Sequence, residues 1–437
     1  MFENVHEIIL KVTRDCNLRC AYCYVRNKDR YRGERMSFAL FKRLIDRYVL
    51  DQQKNSPDRQ KQTLSLIFHG GEPTLLDTHE LIRFMNYARR KIPYIQFGMQ
   101  TNLTNISAEL AIILQKYGIS PGISADGWHS RFNQLRTRRQ SKTIFRNVRL
   151  LKQYGVNCAP LIIINKLNIR SILTNIQRML KIFGLQDIKA NYVENIYTSD
   201  PAYPEVSADE LITQLFLPVI NQLKKKQVIV ETNIAGMLDR FFQTSLFGVN
   251  NDPDKDNVSG NCYMKFCAGG NNIVEVDADG AVCSCGRWDA VHEVCQLGFI
   301  NTADPWGLRS YGKAACLQIQ KARQLRKKHC DICPAQNICS YGCLAFAYAK
   351  YKDFRIREEL VCAYHLKAKK YLQENSSLIL KAYAGARQWP VRKIHKKIFT
   401  VELPAGFPPL NEAQISQMPG WSVVNVDGQN LLQVILC

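Results

Sequence analysis

The chain has 437 residues, 46% of them hydrophobic, with 59 Lys and Arg against 38 Asp and Glu and a formal net charge of +21. This length accommodates two to three domains with substantial cores and excludes a globally disordered chain. The basic excess favours an acidic partner, such as nucleic acid, anionic lipid or an acidic peptide. Glu3, His6, Glu7 and Lys11 interrupt the N-terminus, so no signal-peptide core remains, and no stretch reaches the length of a membrane span. A cytoplasmic location is expected, where sixteen cysteines point to metal or redox chemistry rather than disulfides.

In chain order, short apolar runs at 8–12, 64–68, 95–99, 122–124, 161–164 and 188–193 predict buried parallel strands. Between them, amphipathic helices are predicted from Ser37 onward and over 76–91, 108–117, 143–154 and 172–183. A further helix starts at Ser207, where Ser207 and Glu210 form a capping box. Six strand–helix units in order predict a parallel α/β layout, open or barrel-like. Residues 249–261, rich in Asn, Asp and Gly, read as a linker. The segment 262–362 holds most of the cysteines. The tail is expected to form strands at 398–403 and 421–436, with Asp427-Gly428 as a hairpin turn and a short helix over 411–418. The domain boundaries expected are 1–245, 246–375 and 376–437. Basic runs at 28–35, 136–142, 321–329 and 392–397 each read as a solvated face.

Cys16, Cys20 and Cys23 form C-x3-C-x2-C directly after the first strand, at the carboxyl end where α/β folds place their chemistry. A structural zinc site wants four closed ligands, whereas a four-iron cluster on three cysteines keeps one iron open to a ligand. The segment Cys-Asn-Leu-Arg-Cys-Ala-Tyr-Cys-Tyr resembles the motif of radical S-adenosylmethionine (SAM) enzymes, in which Tyr22 would lie near the adenine. The resemblance implies a partial (β/α)6 TIM barrel, a cluster that chelates SAM, and reductive cleavage to a 5′-deoxyadenosyl radical that takes hydrogen from C–H bonds. Gly70-Gly71-Glu72-Pro73, at the end of the second strand, is similar to the family's GGEP motif. There the glycines permit close backbone approach, and carbonyls with Glu72 would accept from the SAM ammonium. Asn102, at the end of the third strand, continues the series. Ser124 and Arg136 match the spacing of the ribose- and carboxylate-binding pair of sulfatase-maturing relatives, with Arg131 as a competitor for Arg136.

Cys330, Cys333, Cys339, Cys343 and Cys362, with Cys267 and Cys285 upstream, resemble the seven-cysteine signature of the C-terminal SPASM iron–sulfur domain. Cys262 adds an eighth. The resemblance implies two auxiliary four-iron clusters, one on Cys262, Cys267, Cys285 and Cys343 and one on Cys330, Cys333, Cys339 and Cys362, making three clusters in all. Cys283 is an alternative to Cys285, and two zinc sites are the competing reading of the same eight thiols. Cys158 reads as a small buried hydrophobe.

SPASM enzymes mostly modify ribosomally made peptides, so the resemblance implies a precursor peptide with a leader as substrate and a flavodoxin- or ferredoxin-type electron donor. In sulfatase maturases an Asp follows the cysteine at the position of Cys285. Here that residue is Gly286, which favours cross-linking, as a cyclophane or thioether, over oxidation of Ser or Cys to formylglycine. Asp126, Tyr192, Glu194 and Arg287 are expected either to line the cavity or to be structural groups, and Asp126, Tyr192, Glu194 and Asp289 are the candidate catalytic groups. The tail reads equally as a leader-binding domain, in which Trp389, Trp421 and the basic run 392–397 would contact an acidic leader by strand addition, and as a structural cap. RNA modification is the rival reading, but no RNA-binding module is recognised. An iron–sulfur electron carrier is a third reading.

Overall fold

The computed structural model describes residues 2, 5–23, 33–53, 63–137, 139–193, 205–248, 269–270, 272–287, 296–300, 329–339, 342–353, 355–395, 397–426 and 429–436. Glu194, Cys262, Cys267, Asp289, the linker 249–261 and the Asp427-Gly428 turn lie outside the described residues.

Six parallel strands form the first half: β1 (Glu7–Thr13), β2 (Leu64–Gly70), β3 (Ile95–Thr101), β4 (Gly122–Ser124), β5 (Ala159–Ile164) and β6 (Lys189–Tyr192). Helices α1 (Phe38–Gln53), α2 (Thr78–Lys91), α3 (Ala108–Tyr117), α4 (Ser141–Gln153) and α5 (Ile172–Phe183) connect them. Their apolar stripes face the sheet: Ile172, Ile176, Met179, Leu180 and Phe183 of α5 are buried at helical spacing. Local signals set the ends. Asp77 and Ser107 cap α2 and α3 by accepting backbone N–H groups, and Gly118 ends α3 in the left-handed conformation. The capping box of Ser207 and Glu210 is formed. It opens α6 (Ala208–Glu210), which widens into a π-turn over Leu211–Phe216 before α7 (Leu217–Lys226). Pro218 near the start of α7 has no N–H for an i→i−4 bond, which accounts for the change of pitch there.

Beyond α8 (Thr232–Phe247) the chain returns to the same sheet. The strand β7 (Ile273–Val276) pairs parallel with β1, opposite Glu7–Leu10, and β8 (Ala281–Cys283) and β9 (Gln296–Phe299) follow antiparallel. The order is β6-β5-β4-β3-β2-β1-β7-β8-β9. Because β7 occupies the outer edge of β1, β6 does not close onto β1 and the barrel stays open. The Asp279-Gly280 pair turns this hairpin, with Gly280 at φ +92°.

Two ion pairs tie the hairpin to β1 from inside. Lys11 meets Glu275 at 2.8 Å, and Arg14 Nε donates to Asp277 at 2.7 Å, with all four side chains almost wholly buried. Removing one partner of such a pair leaves an uncompensated charge, at a cost of about 3–5 kcal/mol, whereas replacing both by apolar groups is near neutral. Asp277→Leu is therefore expected to lower stability by ~3–5 kcal/mol, and Arg14→Leu with Asp277→Leu to regain most of it. Urea denaturation midpoints of the single and double variants check this.

The C-terminal part adds α9 (Leu344–Tyr351), α10 (Glu359–Glu374) and α11 (Ser376–Ala386). A separate antiparallel sheet follows, made of β10 (Val391–His395), β11 (Ile398–Val401), β12 (Trp421–Val426) and β13 (Gln429–Ile435) in the order β10-β11-β13-β12, with the short helix α12 (Glu412–Ile415) between β11 and β12. Of the two readings of the tail, the structural one fits its two tryptophans. Trp421 is buried, stacks near Phe242 of α8 and donates its indole N–H to Ser377 at 3.1 Å. Trp389 is buried edge-on to Tyr383 and Phe407. Both anchor the tail sheet to the helices and neither is presented to a leader. Arg392 and Lys393 on the edge strand β10 are exposed. No helix among the described residues is long and apolar enough to cross a membrane.

Candidate functional site

The carboxyl ends of the barrel strands and the inner face of the C-terminal part enclose a cavity of about 460 Å³, within the range of small-molecule sites, roughly 300–1,000 Å³. Cys16, Cys20 and Cys23, on the loop after β1, form one wall. The loop is held by the strand ends beside it. Asn102 donates through Nδ2 to Asn17 at 2.8 Å and to Cys16 Sγ at 3.8 Å, and the Leu18 amide reaches the same sulfur at 3.4 Å. Arg136 Nη1 reaches Cys20 Sγ at 3.9 Å. The thiols lie close enough to influence one another's ionisation. Burial pushes Cys20 up to about 12 in spite of Arg136, and Cys16 is raised mainly by burial as well. Such thiols ionise when a metal takes the proton's place.

Gly70 and Gly71 cross the start of this loop. The Gly71 amide donates to Thr13 O at 2.9 Å and the Glu72 amide to Asp15 O at 2.8 Å. A Cβ at Gly70 would stand 2.2 Å from Thr13 O, and one at Gly71 2.2 Å from Asp15 O. Pro73 starts a 3-10 turn whose N-cap is Glu72. Buried Glu72 uses Oε1 for the Thr74 amide, the Thr74 hydroxyl and the Thr101 hydroxyl, and Oε2 for the Asn102 amide. It therefore fastens β2 to β3 under the cavity, and Oε2 keeps capacity for one further donor.

Ser124 lines the cavity and accepts from Gln100 Nε2 at 3.1 Å. Of the two competing arginines, Arg136 lines the cavity while Arg131 is exposed and lies over Phe132. The expected position of Asp126 is corrected: it lies fully buried behind the cavity wall. Its carboxylate accepts from the Tyr22 hydroxyl, from Arg136 at 3.4 Å and from the Ile163 amide at 3.3 Å. Desolvation raises its pKa, opposed chiefly by Arg136. Asp126 positions Tyr22 and Arg136, both of which face the cavity.

Tyr192 and Arg287 line the cavity as expected. Cys285 and Cys343 line it too, whereas Cys283 is fully buried within β8. Cys330, Cys333, Cys339 and Cys362 line a second, adjoining hollow. His365 and Glu358 border both spaces. Cys158 is buried, as its reading required. Among the described residues no group of three or more His, Cys, Asp or Glu side chains is drawn together to hold a single metal ion. The donor chemistry of the first wall fits an iron–sulfur cluster: three thiols around open space, with N–H groups directed at two of the sulfurs.

Residues that the sequence reading did not single out complete the cavity. Lys189 and Asn191 project from β6, Asn233 and Arg240 from α8, and Tyr364 and His365 from α10. The alternation at Lys189–Tyr192 carried a signal, since Ala190 between the two polar residues is buried on the other face. His365 Nδ1 lies 2.8 Å from Val361 O, and burial lowers its pKa to about 4, so the imidazole is neutral near pH 7.

The profile of the radical SAM superfamily matches residues 10–178. The chain carries a radical SAM domain. A cysteine-type anaerobic sulfatase-maturating enzyme of Clostridium novyi is 28% identical over 202 residues, which cover 44% of this chain and 51% of that protein, so the chain matches about half of that relative's length. Among solved structures, native anSMEcpe with bound AdoMet superposes with a TM-score of 0.67 at 18% identity, covering 87% of this chain and 99% of that one. Streptococcus suis SuiB bound to precursor peptide SuiA gives a TM-score of 0.59 at 15% identity, covering 82% of this chain and 76% of that one. The radical SAM fold thus extends well past the matched domain into the cysteine-rich part, with a barrel that is only partial.

Proposed function

We propose that this chain is a radical SAM peptide maturase that forms an intrapeptide cross-link, as a cyclophane or thioether. The carrying observation is that one cavity joins the three-thiol wall to Cys285 and Cys343. In this reading Cys16, Cys20 and Cys23 hold the SAM-binding cluster. Bound there, cluster and SAM supply electron transfer and a hydrogen-abstracting 5′-deoxyadenosyl group. SAM and one cluster follow from the domain; two auxiliary clusters, on Cys330, Cys333, Cys339 and Cys362 and on Cys285 and Cys343 with Cys262 and Cys267, are part of the proposal. Arg136 and Ser124 would meet SAM's polar groups, the Gly70-Gly71 turn with Glu72 its ammonium, and Asn102 would steady the cluster loop.

Each new link removes two hydrogens from the peptide, so an electron acceptor is needed beside the substrate, and cysteines on the far wall meet that need. Gly286 speaks against a sulfatase-type base at its position: a Cβ there would stand 3.3 Å from the buried Glu275 carboxylate, so an added acid would meet like charge. The fold neighbours supply a precedent for peptides, since SuiB is bound to a precursor peptide and anSMEcpe to a Cp18Cys peptide. The exposed edge β10, with Arg392 and Lys393, is where a leader strand would add, and a flavodoxin- or ferredoxin-type protein would reduce the cluster.

Anaerobic co-expression with short reading frames beside the gene tests this. The expected result is a peptide lighter by pairs of hydrogens, mapped by fragmentation to linked side chains, and unchanged when Cys16→Ala replaces the wild type. Oxidation of a single Ser or Cys without a link, or no altered peptide from a preparation that cleaves SAM, overturns the cross-linking reading.

A further inference from the structure

Residues 127–186 hold twelve Lys and Arg and no Asp or Glu, more than half of the chain's net +21. This stretch makes the loop from β4 to α4, then α4, β5 and α5. Three of its cations are engaged within the protein: Arg136 pairs with buried Asp126, Lys166 with Glu210, and Lys152 donates to Ile182 O.

The loop before α4 is compact and lies against the cysteine loop. The Thr137 amide donates to Asn133 O at 2.7 Å and Asn133 Nδ2 to the Ser141 hydroxyl at 3.3 Å, so Arg131, Arg139 and Lys142 belong to one fold of chain. The Ala21 amide donates to Leu135 O at 2.7 Å, which seats that fold on the segment between Cys20 and Cys23. Arg19, on the cysteine loop itself, is exposed, as are Arg131, Arg139 and Lys142. The basic surface continues onto α4, where Lys142, Arg146 and Arg149 recur at i, i+4 and i+7 and share one exposed face. Among the described residues none of these six cations is paired with an acid. Like charges at that helical spacing repel by about 0.2–0.5 kcal/mol a pair, and a complementary anionic surface relieves the repulsion.

The place of the face favours one kind of anionic partner. Lys142, Arg146 and Arg149 stand on the outer helical layer and are not among the residues that line the large cavity, where a substrate must enter. The thiol-bearing loop lies directly beside them, and reductive cleavage of SAM takes one electron from outside the chain.

We propose that Arg19, Arg131, Arg139 and the exposed face of α4 form the docking surface for an acidic electron-carrier protein of the flavodoxin class. The proposal rests on the reading above that Cys16, Cys20 and Cys23 hold the SAM-binding cluster. For each SAM cleaved the reduced carrier loses one electron, and the sulfonium C–S bond gains it and breaks. The basic face speeds encounter with the carrier and orients it over the loop.

The test uses anaerobic holoenzyme and a fluorescein-labelled acidic flavodoxin, followed by anisotropy at about 50 mM and about 300 mM salt. The triple variant Arg139→Gln, Lys142→Gln and Arg146→Gln is expected to weaken binding about tenfold at the lower salt, and to lose most of the salt dependence that the wild type shows. Gln is a good helix former, so α4 is kept. In flavodoxin-driven SAM cleavage the KM for flavodoxin should rise about tenfold with kcat unchanged. Lys225→Gln, Lys226→Gln and Lys370→Gln combined remove the same charge from exposed positions on α7 and α10 and should bind like the wild type. Binding by the first triple variant within about twofold of the wild type, an equal loss in the second, or no binding of flavodoxin at all overturns the docking surface. Loss of transfer RNA binding in the first triple variant with flavodoxin binding intact also overturns it, and makes the face an RNA surface. SAM cleavage driven by titanium(III) citrate, which needs no docked protein, decides separately whether the cluster reading stands.

Discussion

Cys20→Ala is expected to remove one cluster's worth of iron from the anaerobically purified protein and to abolish formation of 5′-deoxyadenosine. Cys20 stands between Cys16 and Cys23 in the loop after β1, in electrostatic contact with both, and Arg136 Nη1 approaches its sulfur. With the thiol pushed up to about 12 by burial, an ionised sulfur in this wall depends on metal charge to offset it. Two remaining thiols cannot hold a cluster that uses three protein ligands. The loss should exceed about a thousandfold in SAM cleavage, whereas Asn102→Ala, which removes a support of the cysteine loop, and Arg136→Gln, which removes a neighbour of the Cys20 sulfur and a partner for SAM, should each cost about 10- to 100-fold. Iron and sulfide analysis, the visible charge-transfer absorption and chromatography of the cleaved nucleoside measure all three. Wild-type iron content and turnover in Cys20→Ala would show that the first cysteines are not the ligands.

The parts of this site that were legible in the sequence are those made by contiguous residues. C-x3-C-x2-C, Gly-Gly-Glu-Pro and the strand–helix periodicity each lie within one stretch of chain, and the observed strands and helices fall within a few residues of the runs that predict them. What could not be read arises from crossings between distant segments. Nothing in the local pattern of Ile273–Val276 says that it adds to the edge of β1, nor that Lys11, placed within the apolar run 8–12, is matched by Glu275 some 260 residues later. Arg240, Tyr364 and His365 sit on amphipathic helices where a polar residue at a boundary position has no signature, because the cavity it faces is built by other elements. Asp126 shows the converse error. Its place after a strand end suggested a catalytic carboxylate, yet Asn133, Asn168 and Asn175, from two other stretches, fold its backbone inward and bury it. The tail tryptophans misled in the same way: an aromatic beside basic residues reads as a contact surface until the helices that cover it are known.

The second large effect is expected from a single methyl group. Gly71 lies where the end of β2 passes the start of the cysteine loop, and an added Cβ would stand 2.2 Å from Asp15 O, 2.5 Å from Asp15 C and 2.7 Å from Arg14 O. All three neighbours are backbone atoms, so no rotamer change relieves the overlap. Either β2 shifts, which would break the Gly71 to Thr13 and Glu72 to Asp15 hydrogen bonds, or residues Arg14 and Asp15 move and carry Cys16 with them. Overpacking of this kind costs about 1–3 kcal/mol and more where the backbone must move. Gly71→Ala is therefore expected to lower stability by ~3 kcal/mol and, independently, to reduce cluster loading and SAM cleavage, because the displaced atoms belong to the ligand loop. Gly118→Ala separates the steric cause from a general intolerance of alanine. That glycine sits at φ +69° with nothing within 4 Å of an added Cβ, so it should lose only about 1–2 kcal/mol of conformational energy and keep full iron content. Melting temperatures and iron analysis of the two variants decide the matter. Equal losses of stability with wild-type iron in both would mean that the loop tolerates displacement, and that the close crossing of Gly70 and Gly71 serves the packing of β2 on β1 rather than the position of the thiols.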